Sequence, residues 1–375
     1  MKHETLLIVA DSEKDANMLY VTGMFVPDPF IWFRHNGRRY AVMSDLEIDR
    51  AKRDADVDRV LALTQYRNQL IKKGFKAPKL RDILVTVLKE YGVRSVTVPD
   101  NFPLALALQL KNACIRVRPA ERGIFPEREC KRPDEVAKIR AALKIAQTGL
   151  TAGIGTVRRS RIGRDGFLYW HGGKLTSELL RAEMDIACKR AGGLAANTIV
   201  AGGNQGCDPH ERGHGPLRAH QSIILDIFPR DERTGYFGDI TRTVVRGRAS
   251  ESLRKLYATV EEGQRIAFRE LREGVDGGEV HKKITGCFAN RGFKTGKQRG
   301  RMGGFFHGTG HGLGLEIHES PRVSIASEKM KAGHVVTVEP GLYYWGIGGV
   351  RIEDVVLIRK TGNTRLSSFP NRLEV

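Results

Sequence analysis

The sequence predicts an α+β protein in two parts: a smaller α/β domain over residues 1–127 and a larger domain of helices and sheet over 128–375. Three observations carry this reading. At 375 residues the chain exceeds what a single hydrophobic core usually serves. Its first third alternates strand and helix patterns, and an amphipathic helix near residue 133 then opens a stretch whose strands carry acidic residues.

In order along the chain, TLLIVA (5–10) is a buried strand, and PFIWFRHNGRRYAVMSD (29–45) is a hairpin turning on Asn36-Gly37, the pair that a type I′ turn favours. RDILVTVLKEYG (81–92) has helical spacing and stops at a glycine, and VRSVTVPD (93–100) returns to strand. At 133–150 comes PDEVAKIRAALKIAQTGL, with Pro133 at the helix start, acids in the first turn, and Val136, Ile139, Leu143, Ala146 and Leu150 on one stripe. Two further helices follow at 175–193 and 251–274, both with glycine stops. Strands are expected at SIILDIF (222–228), GYFGDITRTVV (235–245), HVVTVEPGLYY (334–344) and VRIEDVVLI (350–358).

Composition narrows the function classes. Hydrophobic residues make up 41% and charged residues 28%, a globular balance that excludes disorder. No apolar run approaches the ~20 residues of a spanning helix, so a cytoplasmic protein with no membrane partner is expected. Cys114, Cys130, Cys188, Cys207 and Cys287 form no CxxC pair, which argues for reduced, mostly buried thiols and against a thiolate zinc site. The net charge of +19 raises the question of nucleic acid. The densest basic clusters, VRRSRIGR (157–164) and KTGKQRGR (294–301), carry no interleaved aromatics, so solvated surface and no specific nucleic acid are expected.

The segment GFFHGTGHGLGLEIHE (304–319) places His307, His311 and His318 among glycines. Each interior glycine costs a helix about 1 kcal/mol, so the segment must be strand or loop. Four acids, Asp226, Asp239, Glu339 and Glu353, sit in strand patterns flanked by β-branched or aromatic residues. A lone carboxylate buried there would lose several kcal/mol or take up a proton. Two divalent cations would compensate all four together, with His311 completing an oxygen-rich set. Two metals roughly 3.5–4 Å apart, bridged by carboxylates and a hydroxide, form a hydrolytic unit.

The motifs DIFPRDERTGYFGDITRT, HGTGHGLGLEIHE, TVEPGLYY and VRIEDVV closely resemble the pita-bread metallopeptidases, in their proline-specific branch of aminopeptidase P and prolidase. MLYVTGMF (18–25) and KRPDEVAKIRAA (131–142) are similar to that branch's creatinase-type N-terminal domain and its link to the C-terminal pita-bread catalytic domain. The resemblance makes Asp226 a ligand of one metal, His311 and Glu339 ligands of the other, and Asp239 and Glu353 bridges. It makes His318 a catalytic, substrate-contacting or proton-shuttling histidine and His307 a substrate-side one. His210 corresponds to a further catalytic and substrate-binding histidine, although it stands one residue nearer the first aspartate than is usual, and His214 competes for the role. Arg322 corresponds to the arginine that holds a dipeptide carboxylate. Two departures, Phe228 in place of a glycine and the lengthened PRDERTG stretch, leave every ligand in place.

What the resemblance implies is hydrolysis of the Xaa-Pro peptide bond by a hydroxide bridging two divalent metals, with Mn²⁺ favoured and Co²⁺, Zn²⁺ or Fe²⁺ as alternatives. Glu339 would accept the proton. Proline-containing peptides are the expected substrate, as dipeptides or longer chains, and a homodimer the expected assembly. The competing readings are a non-catalytic binding protein of basic surface and a creatinase-like hydrolase of small amidines.

Overall fold

The computed structural model describes residues 4–298 and 300–375. Met1 to His3 of the opening segment, and Arg299 of the second basic cluster, lie outside that set. The chain divides into two compact units, one ending at Pro126 and the other spanning Glu127–Val375.

In the first unit a six-stranded mixed sheet runs in the order Arg59–Ala62, Arg38–Met43, Phe30–His35, Leu6–Ala10, Ser95–Val98, Arg116–Pro119. Apolar runs such as LLIVA are explained by burial on both faces. Leu7, Val9, Ile31 and Phe33 enter one core cluster, while their neighbours Leu6, Ile8 and Trp32 enter another. The hairpin turns on Asn36 and Gly37 at φ 49° and 77°, the left-handed pair that a type I′ turn requires.

The second unit is built as two helix pairs, each on its own sheet. Helices Pro133–Arg159 and Ser177–Arg190 share a core with the antiparallel strands Ile199–Gly202, Ile223–Ile227 and Ile240–Val244. Helices Glu251–Glu270 and Gly277–Asn290 share another with a five-stranded antiparallel sheet, in the order Glu319–Val323, Gly310–Gly312, Val335–Val338, Asp354–Arg359, Gly362–Arg365. The hairpin Gly341–Tyr344 with Gly348–Arg351 stands beside them.

Several expectations need correction. The first long helix does not stop near 150 but runs to Arg159 through Gly149 and Gly153. At Gly149 an added Cβ would lie 2.5 Å from Cys188 Sγ, and at Gly153 one would lie 2.7 Å from Met184. Those glycines therefore let two helices approach closely, and tertiary packing offsets their low propensity. Of the five cysteines, none joined in a disulfide, only Cys188 and Cys207 are buried; Cys114 is exposed. Two of the 157–164 arginines do meet aromatics, because the chain folds back across Gly163–Gly166 and lays Tyr169 beside Arg161 and Trp170 beside Arg159. Those rings lie just beyond residue 164, outside the basic cluster itself. No helix among the described residues is long and apolar enough to cross a membrane.

Candidate functional site

Asp226 lies within the Ile223–Ile227 strand, every residue of which is buried. The other three acids are not inside strands. Asp239 directly precedes Ile240–Val244, Glu339 directly follows Val335–Val338, and Glu353 directly precedes Asp354–Arg359. Ladder bonds cease at a strand end, so the backbone can turn there and bring side chains from separate sheets together.

Thr241 fastens the two sheets at this point. It pairs with Asp226 across the first sheet, accepts the Glu353 backbone N–H at its carbonyl (3.1 Å), and donates its hydroxyl to Glu353 Oε2 (2.7 Å). Glu339 is held by its backbone N–H on the Thr309 carbonyl at 2.8 Å.

His311 sits in the short Gly310–Gly312 strand. Its flanking glycines are steric necessities: an added Cβ would stand 1.9 Å from the Thr337 carbonyl at Gly310 and 2.3 Å from the Ser320 carbonyl at Gly312. His311 Nδ1 lies 3.0 Å from the Gly312 carbonyl, which accepts a proton and donates none, so Nδ1 carries the hydrogen and Nε2 a free lone pair. Burial keeps the ring neutral, with a pKa near 3. Its Nε2 faces Asp239 Oδ2 at 3.7 Å and Glu339 Oε1 at 3.5 Å.

Asp239, His311 and Glu353 each offer one ligand atom to a group whose members all lie within 4.8 Å of one another. Burial, then the charge of the neighbouring acids, pushes the Asp239 and Glu353 carboxyls well above their ordinary range. Burial likewise raises Glu339 to about 7, against the opposing pull of Arg351. Asp226 accepts from Arg351 Nη2 at 2.7 Å, yet its Oδ1 is buried without a partner. Mutually repelling carboxylates, an unpartnered carboxylate oxygen and an imidazole lone pair with no donor before it are what a site for hard divalent cations presents.

This geometry predicts a pH dependence in chelated protein. The raised Glu339 carboxyl favours the folded state only while protonated, so its contribution is fully present below the unfolded value of 4.5 and is lost as pH rises to about 7. For Glu339 alone the loss is on the order of 3 kcal/mol. Melting curves at pH about 5 and about 7.5, with chelator and with added Mn²⁺, should show the gap between loaded and stripped protein widening with pH. A constant gap would contradict the repelling cluster.

The remaining predicted residues surround this group. The His318 ring stands perpendicular to that of His311, with centroids 4.4 Å apart. His307 donates from Nδ1 to the Gly308 carbonyl (2.8 Å), so its Nε2 accepts from the Tyr343 hydroxyl (2.8 Å). Burial, then Arg351, lowers His307 to about 3. His210 is exposed on its loop, and its charge is felt at both His307 and His318. His214 is instead pinned by its backbone to the Gln205 side chain. Arg322 lies across the strand pair from His311, and its charge acts on His311, His318 and Glu339. Around the PRDERTG stretch, Arg230–Asp231 pairs with Gly193–Leu194 and the Asp231 carbonyl accepts Gly235 N–H at 2.8 Å, so the extra residues close into a tight turn.

Residues 137–360 match metallopeptidase family M24. The chain belongs to metallopeptidase family M24. It is 30% identical over 296 residues to an Xaa-Pro dipeptidase of Pyrococcus horikoshii, covering 75% of each chain. Its structure superposes on the prolidase of the same organism with a TM-score of 0.80 at 26% identity, covering 99% of this chain and 95% of that one. The X-Pro aminopeptidase of Thermotoga maritima shares the fold, with a TM-score of 0.82 at 23% identity over 99% and 97% of the two chains. The fold is thus the pita-bread fold, and the protein is a metallopeptidase of the branch that contains prolidases and X-Pro aminopeptidases.

Sequence reasoning missed several residues of this peptidase. Arg351, 3% exposed, reaches Asp226 with Nη2 and the Tyr343 hydroxyl with Nη1 (3.0 Å). Tyr343 therefore donates to His307 and accepts from Arg351, which orients both its lone pair and its proton. Arg242, buried behind the site, donates to the carbonyls of Thr241 (2.9 Å) and Glu353 (2.6 Å) and to Asp354 Oδ1 (3.0 Å). Asp354 is further held by Ser367 (2.7 Å) and Gln264 (3.1 Å). A signal was present: both arginines interrupt strand patterns, as the acids do, and a buried cation needs a partner as much as a buried anion. Glu319, beside His318, is likewise locked between Arg128 and Lys131, each at 2.6 Å.

Proposed function

We propose that this peptidase hydrolyses the Xaa-Pro bond of dipeptides at a dinuclear metal centre. Asp226 would hold one divalent ion, His311 and Glu339 the other, with Asp239 and Glu353 shared between them. Bound there, two such ions lower the pKa of water and draw charge from a developing oxyanion. Every other step falls to the chain's own groups.

Glu339 can accept with its carboxylate the proton released by the attacking water and return it to the leaving imino nitrogen of proline. His318, kept largely neutral at neutral pH, offers a hydrogen bond to the oxyanion. His307 and His210 line the substrate side. Proline has no amide hydrogen, so a pocket that orients substrate through histidines rather than through an amide acceptor admits it.

The single observation favouring dipeptides is Arg322. Its guanidinium has no salt-bridge partner among the described residues although its charge is felt at Glu339 and His318. A free substrate carboxylate would satisfy it bidentately. The test compares an Xaa-Pro dipeptide with its C-terminal amide, in the parent and in Arg322→Ala. Amidation should raise KM about tenfold or more in the parent, and Arg322→Ala should cost the acid a similar factor while sparing the amide. Equal cleavage of acid and amide by the parent would turn the assignment toward longer peptides.

A further inference from the structure

We propose that the meander of strands Arg161–Ile162, Leu168–Trp170 and Gly173–Lys174 is a docking surface for single-stranded nucleic acid, which it grips through phosphates and base faces without reading sequence. The register puts Arg161 opposite Tyr169 and Tyr169 opposite Lys174, so the three share one face. Phe167, two residues before Tyr169, joins that face and pairs with Arg218 through an isolated bridge. The alternate residue Leu168 is fully buried in the core beneath. The outward face is therefore a row of cations and rings.

Each cation is seated on a ring. Arg161 lies 4.9 Å from the Tyr169 centroid, while Lys174 and Arg218 lie 4.0 and 4.1 Å from that of Phe167; Arg159 stands 5.4 Å from Trp170 at the margin. Such pairs hold long side chains in place, which removes part of the entropy cost of engaging an anion. Residues 158–174 contain Arg158, Arg159, Arg161, Arg164 and Lys174 against one acid, Asp165. Asp165 is itself engaged by Lys174 (3.1 Å) and the Tyr169 hydroxyl (3.0 Å). Arg161, Lys174 and Arg218 are all exposed.

A row of ordered cations needs a partner with repeated negative charge, and the guanidinium planes of Arg161 and Arg218, held on rings, suit a partner with flat faces of its own. Single-stranded nucleic acid has both. An acidic peptide supplies only the charge. An anionic bilayer would also call for apolar side chains to insert, and none of the large exposed hydrophobics falls between 157 and 174. The excess of 62 Lys and Arg over 43 Asp and Glu adds long-range attraction but does not choose the place.

The test is fluorescence anisotropy of a labelled oligouridylate of about twelve nucleotides with the full, metal-loaded chain, over a salt series around 50 to 200 mM. Arg161→Glu with Lys174→Glu should weaken binding about tenfold or more at the low-salt end and flatten the log–log salt slope by about 1.4, at ~0.7 per lost single-strand contact. Lys72→Glu with Lys73→Glu makes the same charge change on exposed lysines of the first unit and should shift affinity less than about twofold. Tyr169→Leu, which keeps all charge, should weaken binding about fivefold or more because Arg161 loses the ring that orders it. Melting curves check folding, and Arg161→Gln with Lys174→Gln stands in should the reversed pair fail it. No binding by the parent, equal losses in the control pair, an unaffected Tyr169→Leu, or competition by polyglutamate or phosphatidylserine vesicles as strong as by unlabelled oligomer would each overturn the proposal. Equal binding of oligouridylate and oligothymidylate fits it; only a strict demand for one base sequence would contradict the sequence-independent grip.

Discussion

Asp239→Asn should cut metal-dependent cleavage of an Xaa-Pro dipeptide about a hundredfold to a thousandfold, the scale on which removal of one fixed electrostatic group is felt in an active site. The same substitution should make the chelated protein more stable than the parent at neutral pH, where the carboxylate is both desolvated and repelled. The two effects share a cause. Asp239 is 4% exposed and faces Glu353, Asp226 and Glu339, so without metal its charge is both desolvated and repelled. Asparagine keeps the volume and removes the charge. Progress curves on the loaded enzyme and thermal melts in chelator at neutral pH measure the two effects separately. Loss of both activity and apo stability would mean that Asp239 is an ordinary structural acid, and would remove the ground for a shared cation site.

Asp354→Ala should destabilise the protein by about 3–5 kcal/mol, the usual cost of stripping one partner from a buried ion pair. Arg242 is 1% exposed and Asp354 is fully buried, so the guanidinium left behind has only carbonyl oxygens to receive it. Denaturant melts of the single variant should show the loss. The double variant Arg242→Met with Asp354→Leu leaves no buried charge orphaned, since Arg365, the other partner of Asp354, is half-exposed and can be hydrated, and it should recover most of the loss. Activity should not return with it. Arg242 Nη1 holds the Glu353 carbonyl at 2.6 Å, and without that donor the backbone carrying a proposed bridging carboxylate is released, at about tenfold or more in turnover or metal affinity. A double variant with parental activity would reduce the pair to scaffolding.

Much of this site was legible in sequence because burial is expensive for charge. Asp226, Asp239, Glu339 and Glu353 each interrupt a run whose apolar character announces a core, and the glycines around His311 exclude a helix on propensity alone. The same logic, applied to cations, would have found Arg242 and Arg351. In a chain of net charge +19, however, a basic residue within a strand pattern stands out less than an acidic one. Thr241 and Tyr343 gave no such signal, since threonine and tyrosine belong in strands on any reading. Their roles come from which sheet each strand end meets.

The histidines fall on the side of folding. His318 lies in the bend between the strands Gly310–Gly312 and Glu319–Val323, so its place against the His311 ring, like the tautomers, comes from folding rather than from strand alternation. The hydrogen on His311 Nδ1 is set by the Gly312 carbonyl, and that on His307 Nδ1 by the Gly308 carbonyl. The hydroxyl facing His307 Nε2 belongs to Tyr343, which folding brings from another strand.

By itself the sequence determined the class of the elements it marked, the hairpin at Asn36-Gly37, and the choice of four carboxylates that cannot be buried alone. Those are consequences of local sterics and of the desolvation cost each residue carries wherever it is placed. Only the tertiary structure decided that three of the four acids leave their strands, that Gly149 and Gly153 extend a helix rather than end it, and that rings lie against Arg159 and Arg161. Each of these turns on contacts between segments far apart in the chain or folded back across a turn, where packing outweighs a local preference of about 1 kcal/mol.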